Sequence, residues 1–159
     1  MSLRIGFGVD YHQLSEGRDL FIGGVHIPHT KGALGHSDAD VLLHAICDAL
    51  FGALGLGDIG SHFPDTDNQY KDIDSKILLQ RTMEIIVQKG FRPVNIDSTI
   101  CLQEPKINPY IQQMKKTISS IIGFAESDIS VKATTTEKMG FVGRKEGISA
   151  YATVLLERI

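Results

Sequence analysis

Two periods of apolar and polar residues run along the chain. Val94, Ile96, Ser98, Ile100 and Leu102 alternate with Asn95, Asp97, Thr99 and Cys101, a period of two with one mostly apolar side, which predicts a strand. Ile129, Val131 and Ala133 repeat the pattern, and Ile148 to Leu156 closes the chain with another strand. Leu3 to Val9 is a strand near the start. Leu20-Phe21-Ile22-Gly23-Gly24-Val25-His26-Ile27 predicts a hairpin, because Gly-Gly supplies the positive φ angles of a tight turn, and Pro28 ends it. A helical period takes over in three places. Val41, Leu42, Leu43, Ala45, Ile46, Ala49 and Leu50 predict an apolar helix from about Asp38 into the glycine-rich Gly52 to Gly60 region. Leu78, Leu79, Met83, Ile86 and Val87 predict a second helix over Ser75 to Lys89, stopped by Gly90. Ile111, Met114, Ile118, Ile121 and Ile122 predict a third, entered at Pro109 and stopped at Gly123. Ser61 to Asp74 is the one long polar loop.

The predicted order is β-ββ-α-α-β-α-β-β. Strands neither alternate strictly with helices nor segregate from them. The expected fold class is therefore α+β, a mixed β-sheet with helices packed on one face, formed by a single domain over residues 1–159. A chain of this length buries roughly 70% of its unfolded surface and needs no covalent staples.

Charge narrows the partners. With 16 basic and 19 acidic residues the net charge is −3, so no global positive field draws in nucleic acid or an anionic membrane, and any anionic ligand must be held locally. No charged-then-apolar segment opens the chain and no apolar run approaches a membrane span, so a cytoplasmic location is expected. Cys47 and Cys101 lie in an apolar helix and a strand pattern, and both are expected as small core residues in a reducing compartment.

Against that background Asp10-Tyr11-His12 stands out. On a strand the side chains of Asp10 and His12 leave the same face, and a helix packed over that face can bring in His44. Two imidazoles and one carboxylate suit zinc, and three protein ligands leave a fourth position for water or substrate. The competing reading is a polar strand edge beside a hydrogen-bonded helical histidine. Asp40, His44 and Asp48 fall four apart as a narrow polar stripe on an otherwise apolar helix, and Asp48 is expected to accept the second N–H of His44.

The second half carries two more features. Thr134-Thr135-Thr136-Glu137 and the following Gly140-Phe141-Val142-Gly143-Arg144 combine hydroxyls, glycine-rich backbone, a carboxylate and a cation, as a phosphate with a divalent ion requires. Thr134-x-x-Glu137 fits a capping box equally, and taken by itself the helix start is the simpler reading. Gln103-Glu104-Pro105-Lys106-Ile107-Asn108-Pro109 is a stiff turn whose backbone groups either read a base edge or merely connect two elements.

These features recur in one order. Arg4-Ile5-Gly6-x-Gly8-x-Asp10-x-His12, Ile22-Gly23-Gly24-Val25-x-Ile27-Pro28, His36-Ser37-Asp38-x-Asp40-Val41-x-x-His44, Gly57-Asp58-Ile59-Gly60, Phe63-Pro64-Asp65-Thr66-Asp67, Pro105-Lys106 and Val131-Lys132-Ala133-Thr134-Thr135-Thr136-Glu137-Lys138 span the chain nearly end to end. In this the chain resembles the 2-C-methyl-D-erythritol 2,4-cyclodiphosphate synthase family of the non-mevalonate isoprenoid pathway. The resemblance implies a phosphorus-oxygen lyase acting on 4-diphosphocytidyl-2-C-methyl-D-erythritol 2-phosphate, with the 2-phosphate attacking the β-phosphorus and CMP leaving. It implies zinc on Asp10, His12 and His44, one per subunit, and magnesium or manganese held by Glu137 with the substrate diphosphate.

The same resemblance assigns His36 and Thr135 to transition-state support, and Ser37 to substrate contact with Asp10, His12 and His36. Asp58, Ile59, Gly60, Phe63, Pro64, Asp65, Thr66 and Asp67 match the erythritol side. Leu102, Gln103, Glu104, Pro105, Lys106, Ile107, Asn108, Thr134, Thr135, Thr136, Glu137, Phe141 and Arg144 match the nucleotide and phosphate side. Leu102 stands where many relatives carry a smaller residue. The resemblance also implies a homotrimer with active sites between subunits, and a central cavity near Arg144 and Glu146 able to take an isoprenoid diphosphate. A zinc phosphohydrolase and a non-catalytic trimer that binds isoprenoid diphosphates are the alternatives.

Overall fold

The computed structural model describes residues 2–159. A five-stranded sheet in the order β4-β1-β7-β5-β6 forms its base. Its strands are β1 (Leu3–Glu16), β4 (Lys31–Ala33), β5 (Phe91–Cys101), β6 (Ile129–Thr134) and β7 (Gly147–Arg158). β5 and β6 run parallel and the other neighbours antiparallel, so the sheet is mixed. β2 (Leu20–Ile22) and β3 (Val25–Ile27) form a separate hairpin, with Gly23 and Gly24 at φ +61° and +74° as the turn requires. The helices are α1 (Val41–Ala53), α2 (Ile59–His62), α3 (Ser75–Gln88), α4 (Ile111–Ile122) and α5 (Gly140–Gly143).

The alternation read from the sequence sorts the two faces of the sheet. Ile148, Ala150, Ala152, Val154 and Leu156 of β7 are buried beneath the helices, together with Ile96 and Ile100 of β5. α1 lies over β1 and β7, α4 over β6, and α3 packs against α1 and α4. The opposite face is open. There Ile5 is 72% and Phe7 62% exposed, with Leu3 and Tyr11 also exposed beside them.

Several boundaries differ from the sequence reading, each for a local reason. β1 runs on to Glu16 rather than Val9, because β7 pairs with it as far as Gln13 and the short strand β4 takes over at Leu14. The alternating pattern fades there into Asp10 to Gln13, which hid the extension. α1 starts at Val41 rather than near Asp38: Ala39 takes φ +56°, and Asp40 is the cap, accepting the Leu43 N–H at 3.1 Å. Asp40 also accepts the N–H groups of Gly23 and Gly24 at 2.9 and 2.7 Å, tying the hairpin to the helix. It is fully buried, so it forms no solvent-facing stripe with His44 and Asp48.

The loop after α1 is subdivided. Asp58 caps α2 through the Ser61 N–H at 2.8 Å, and Asp67 caps the 3-10 turn Asn68–Tyr70 through the Gln69 N–H at 3.0 Å. No helix among the described residues is long and apolar enough to cross a membrane. Cys47 and Cys101 are both free, and burial pushes the Cys47 thiol up to about 12, which keeps it an inert core group.

Candidate metal centre and active site

The candidate metal site begins with two glycines. Gly6 and Gly8 lie on the helix-facing side of β1, and a Cβ on either would stand 1.8 Å from the Ala49 carbonyl oxygen or 2.0 Å from that of Ala45. Their bare backbone lets α1 settle directly on the strand. Two residues further along the same face come Asp10, then His12, and α1 delivers His44 from above.

Three ligand atoms converge there. His12 Nε2 lies 2.8 Å from Asp10 Oδ2, His44 Nδ1 lies 3.2 Å from the same oxygen, and the two ring nitrogens are 3.2 Å apart. Donors around a tetrahedral zinc, at ~2.0–2.2 Å from the ion, sit roughly 3.3 Å from one another, so the spacing needs little adjustment. The donor set fits as well. His12 Nδ1 faces the Leu34 carbonyl oxygen at 2.9 Å, an acceptor only, which leaves the Nε2 lone pair for the cluster in the neutral ring. Lone pairs and a carboxylate gathered this closely require a cation or a proton among them. The titration directions agree: burial opposes a charged His12 but Asp10 outweighs it and raises the pKa. Burial opposes the Asp10 carboxylate too, and the close contacts with the His12 and His44 rings outweigh that and hold it below the usual range.

The outer partner of His44 differs from expectation. Asp48 does not take its second nitrogen; the Asp48 carboxylate accepts the Ile59 N–H at 2.7 Å and anchors the start of α2. Burial raises the Asp48 pKa. His44 Nε2 instead lies 2.8 Å from Ser75 Oγ and 3.2 Å from Ser37 Oγ. Ser75 is the residue of the candidate site that sequence reasoning missed. It opens α3, 31 residues beyond His44, and nothing in the local pattern announces the contact.

Beside the cluster lies a cavity of about 500 Å³. His12, His36, Ser37 and His44 form its polar end, and Ile59, Gly60, Phe63, Pro64, Asp65 and Thr66 its far wall, joined by Tyr70, Ile73 and Leu78. His36 is steadied by the Asp67 carbonyl oxygen, 3.3 Å from its Nε2. Asp58 and Asp67 are absent from the lining and serve as caps.

A second cavity, about 240 Å³, gathers Leu102, Gln103, Pro105, Lys106, Ile107, Asn108, Thr134 and Thr135 at the β5–β6 end of the sheet. The chain turns there through a cis Glu104–Pro105 bond. Leu102 N–H bonds the Thr134 carbonyl oxygen at 3.0 Å, and Gln103 Oε1 accepts the Lys138 N–H at 3.2 Å, so the two segments form one platform. The capping box does not form. Thr134 Oγ1 donates to the Thr135 carbonyl oxygen at 3.0 Å, and Glu137 and Lys138 take φ of +53° and +63°, which no helix start can follow. α5 begins only at Gly140, without a side-chain cap. Glu137 is exposed, and its carboxylate has no hydrogen-bond or ion-pair partner among the described residues. Phe141 packs near Tyr11, with ring centroids 6.0 Å apart, and Arg144 is paired with Glu146 at 2.9 and 3.2 Å. Glu104 pairs with Lys145 at 3.0 Å.

With this geometry in place, residues 3–157 match the YgbB family over nearly the whole chain. The chain belongs to the YgbB family. Among curated YgbB relatives, the 2-C-methyl-D-erythritol 2,4-cyclodiphosphate synthase of Bacteroides thetaiotaomicron is 60% identical over 158 residues, 99% of each chain. The solved bifunctional IspDF of Campylobacter jejuni superposes with a TM-score of 0.96 at 42% identity, covering 99% of this chain, which spans 43% of that one. IspF of Plasmodium falciparum in its CDP complex superposes with a TM-score of 0.86 at 37% identity, covering 99% of this chain and 97% of that one. The YgbB assignment and the resemblance drawn from the ordered motifs agree.

Proposed function

We propose that the protein cyclises 4-diphosphocytidyl-2-C-methyl-D-erythritol 2-phosphate to 2-C-methyl-D-erythritol 2,4-cyclodiphosphate and CMP. The observation that carries this reading is the Asp10, His12 and His44 cluster, three donor atoms 2.8 to 3.2 Å apart at the mouth of a cavity. A 60% identical relative bearing the synthase name supports it, as does a structural relative holding CDP.

In this reading an oxygen of the substrate's 2-phosphate forms a bond to the β-phosphorus while the bond from that phosphorus to the α-phosphate bridging oxygen breaks, and the electron pair leaves with CMP. Asp10, His12 and His44 would hold zinc, and Glu137 a magnesium or manganese ion, which supply charge neutralisation on the diphosphate. The chain's own residues provide position. Ile59, Gly60, Phe63, Pro64, Asp65 and Thr66 enclose the erythritol, with Asp58 and Asp67 shaping that wall through their caps. The Leu102 to Asn108 turn receives the cytosine, with Gln103, Glu104, Pro105, Lys106 and Ile107 presenting mainly backbone. Thr134, Thr135, Thr136, Phe141 and Arg144 lie on the phosphate side. His36, Ser37 and Thr135 face the reacting groups. Because nucleophile and leaving group belong to one molecule, alignment contributes most of the acceleration.

Assembly completes the site. The metal cluster sits on β1 and the nucleotide platform on β5 and β6, two and three strands away across the sheet, so roughly 10 to 14 Å separates them within one chain. The exposed face of Leu3, Ile5, Phe7 and Tyr11 is the kind of contiguous apolar surface that marks an interface. A homotrimer in which one subunit's metal cluster meets the next subunit's Thr134 to Glu137 turn accounts for both features. Such a trimer would enclose a central cavity. For an isoprenoid diphosphate there, Arg144 is the cation at hand, and its two bonds to Glu146 would be exchanged for phosphate oxygens.

Phosphorus NMR of the reaction in ¹⁸O-labelled water tests the assignment. An unlabelled cyclic diphosphate with release of CMP is expected. Solvent oxygen in either product would mean a zinc phosphohydrolase instead. Light scattering should give a trimer, and mixed His12→Ala and Lys106→Ala subunits should recover part of the activity.

A further inference from the structure

We propose that Asp38 and Ser75 form a directional hydrogen-bond chain that fixes His44 as an Nδ1 ligand, a positioning role that rests on the metal reading above. An ionised carboxylate can only accept. The Ser75 hydroxyl therefore donates to Asp38 Oδ1 in a short contact, while Asp38 Oδ2 accepts the Ser75 backbone N–H at 3.1 Å. With its one proton committed, Ser75 Oγ has only lone pairs to offer His44 Nε2, 2.8 Å away. The ring proton of neutral His44 thus lies on Nε2. Its Nδ1 lone pair is left pointing at Asp10 Oδ2 and His12 Nε2, each 3.2 Å away.

The surroundings make Ser75 the deciding group. It is completely buried, so its hydroxyl has no water to fall back on. Ser37 Oγ is farther, at 3.2 Å, and accepts the Ala39 N–H at 3.1 Å; its remaining proton leaves it compatible with either tautomer. Asp38 is steadied in turn by accepting the Asp40 N–H at 3.3 Å and by its own N–H, which donates to the Ile73 carbonyl oxygen at 3.1 Å. One carboxylate thereby links the start of α1, which carries His44, to the start of α3. His12 has its ring set by a backbone carbonyl, whereas His44 has its ring set through two side chains that mutation can remove.

Zinc-loaded protein labelled with ¹⁵N-histidine tests the chain. His44 Nε2 should carry a directly bonded, slowly exchanging proton. Ser75→Ala and Asp38→Asn should speed that exchange and weaken zinc about 10–100-fold in a chelator competition, the range expected when a ligand's outer partner is lost. Ser75→Thr, which keeps the hydroxyl, should restore much of both. The proposal is overturned by an unprotonated Nε2 in the wild type, or by folded Ser75→Ala and Asp38→Asn proteins with unchanged exchange and zinc affinity. If the variants do not fold, the wild-type spectrum alone decides. Absence of zinc binding by the wild type would overturn the metal reading above, and the ring spectrum of that protein would still report the His44 tautomer. Cyclisation is scored separately, so its failure with Nε2 protonated would count against the catalytic reading alone.

Discussion

The Asp10, His12 and His44 cluster and the Thr134 to Glu137 turn carry comparably dense chemistry, yet the fold treats them in opposite ways. The cluster is half-buried, every ring nitrogen has a partner, and two backbone elements are pressed together to set its spacing. The turn is largely exposed, its threonine hydroxyls bond only to groups within three residues, and the Glu137 carboxylate has no partner among the described residues. One site is organised by folding; the other is not organised by contacts within the chain. Damage to the first should therefore register in metal content and stability, and damage to the second in turnover alone.

The largest effect separating them should come from His44→Ala. Loss of one of three protein ligands should lower zinc affinity by more than the ~100-fold upper range for outer partners, with circular dichroism unchanged, as metal analysis of the purified variant would register. Thr135→Ala and Glu137→Gln should act in the reverse sense. Turnover should fall about 10²-fold, the scale for losing one group that meets transition-state charge, while zinc content stays whole and stability moves by less than about 0.5 kcal/mol. A marked fall in the melting temperature of either variant would dissolve the contrast.

Gly8→Ala reaches the cluster without touching a ligand. The added methyl would meet the Ala45 carbonyl oxygen at 2.0 Å, so α1 must lift, costing about 1–3 kcal/mol of stability in denaturant titration together with part of the zinc affinity. Titration offers a finer test. The folded Asp10 pKa is lowered from 3.8, so its contribution is present above that value and lost as pH falls through the folded pKa. The folded His12 pKa is raised from 6.5, so its contribution is full below that value and lost as pH rises through the folded pKa. Zinc-free protein should lose this pair's stabilisation as pH rises above 6.5 and through the folded His12 pKa, while the ion binds better as His12 gives up its proton. The gap in melting temperature between loaded and zinc-free protein should widen over that range. Smallest of all, Asp48→Asn should cost about 1 kcal/mol through its bond to Ile59 and leave zinc affinity unchanged.

The same division governed what could be read from the chain. Periodicity revealed the long strands and the three long helices because each buries one side, and the D-x-H spacing picked out two members of the candidate metal cluster because a strand puts alternate residues on one face. The ordered motifs supplied the rest of the candidate site through resemblance. What stayed hidden depends on tertiary contact. Ser75 reaches His44 only because α3 folds back over α1, and Asp48 lies one turn from His44 but points to α2. At Thr134 to Glu137 the capping pattern was present, but the left-handed φ of Glu137 and Lys138 was not visible in their side-chain types.

The contact of α1 with Gly6 and Gly8 makes the candidate metal cluster a gauge of the core. No side chain cushions helix from strand there, so the separation of His44 from Asp10 and His12 inherits whatever happens between Ala45, Ala49 and β1. A cobalt ion substituted at the cluster, whose visible absorption follows its ligand geometry, would then register substitutions of Leu42, Ile46 or Leu50 that never approach it. Drift among homologous cores would, on the same grounds, be limited less by stability than by the tolerance of one coordination sphere.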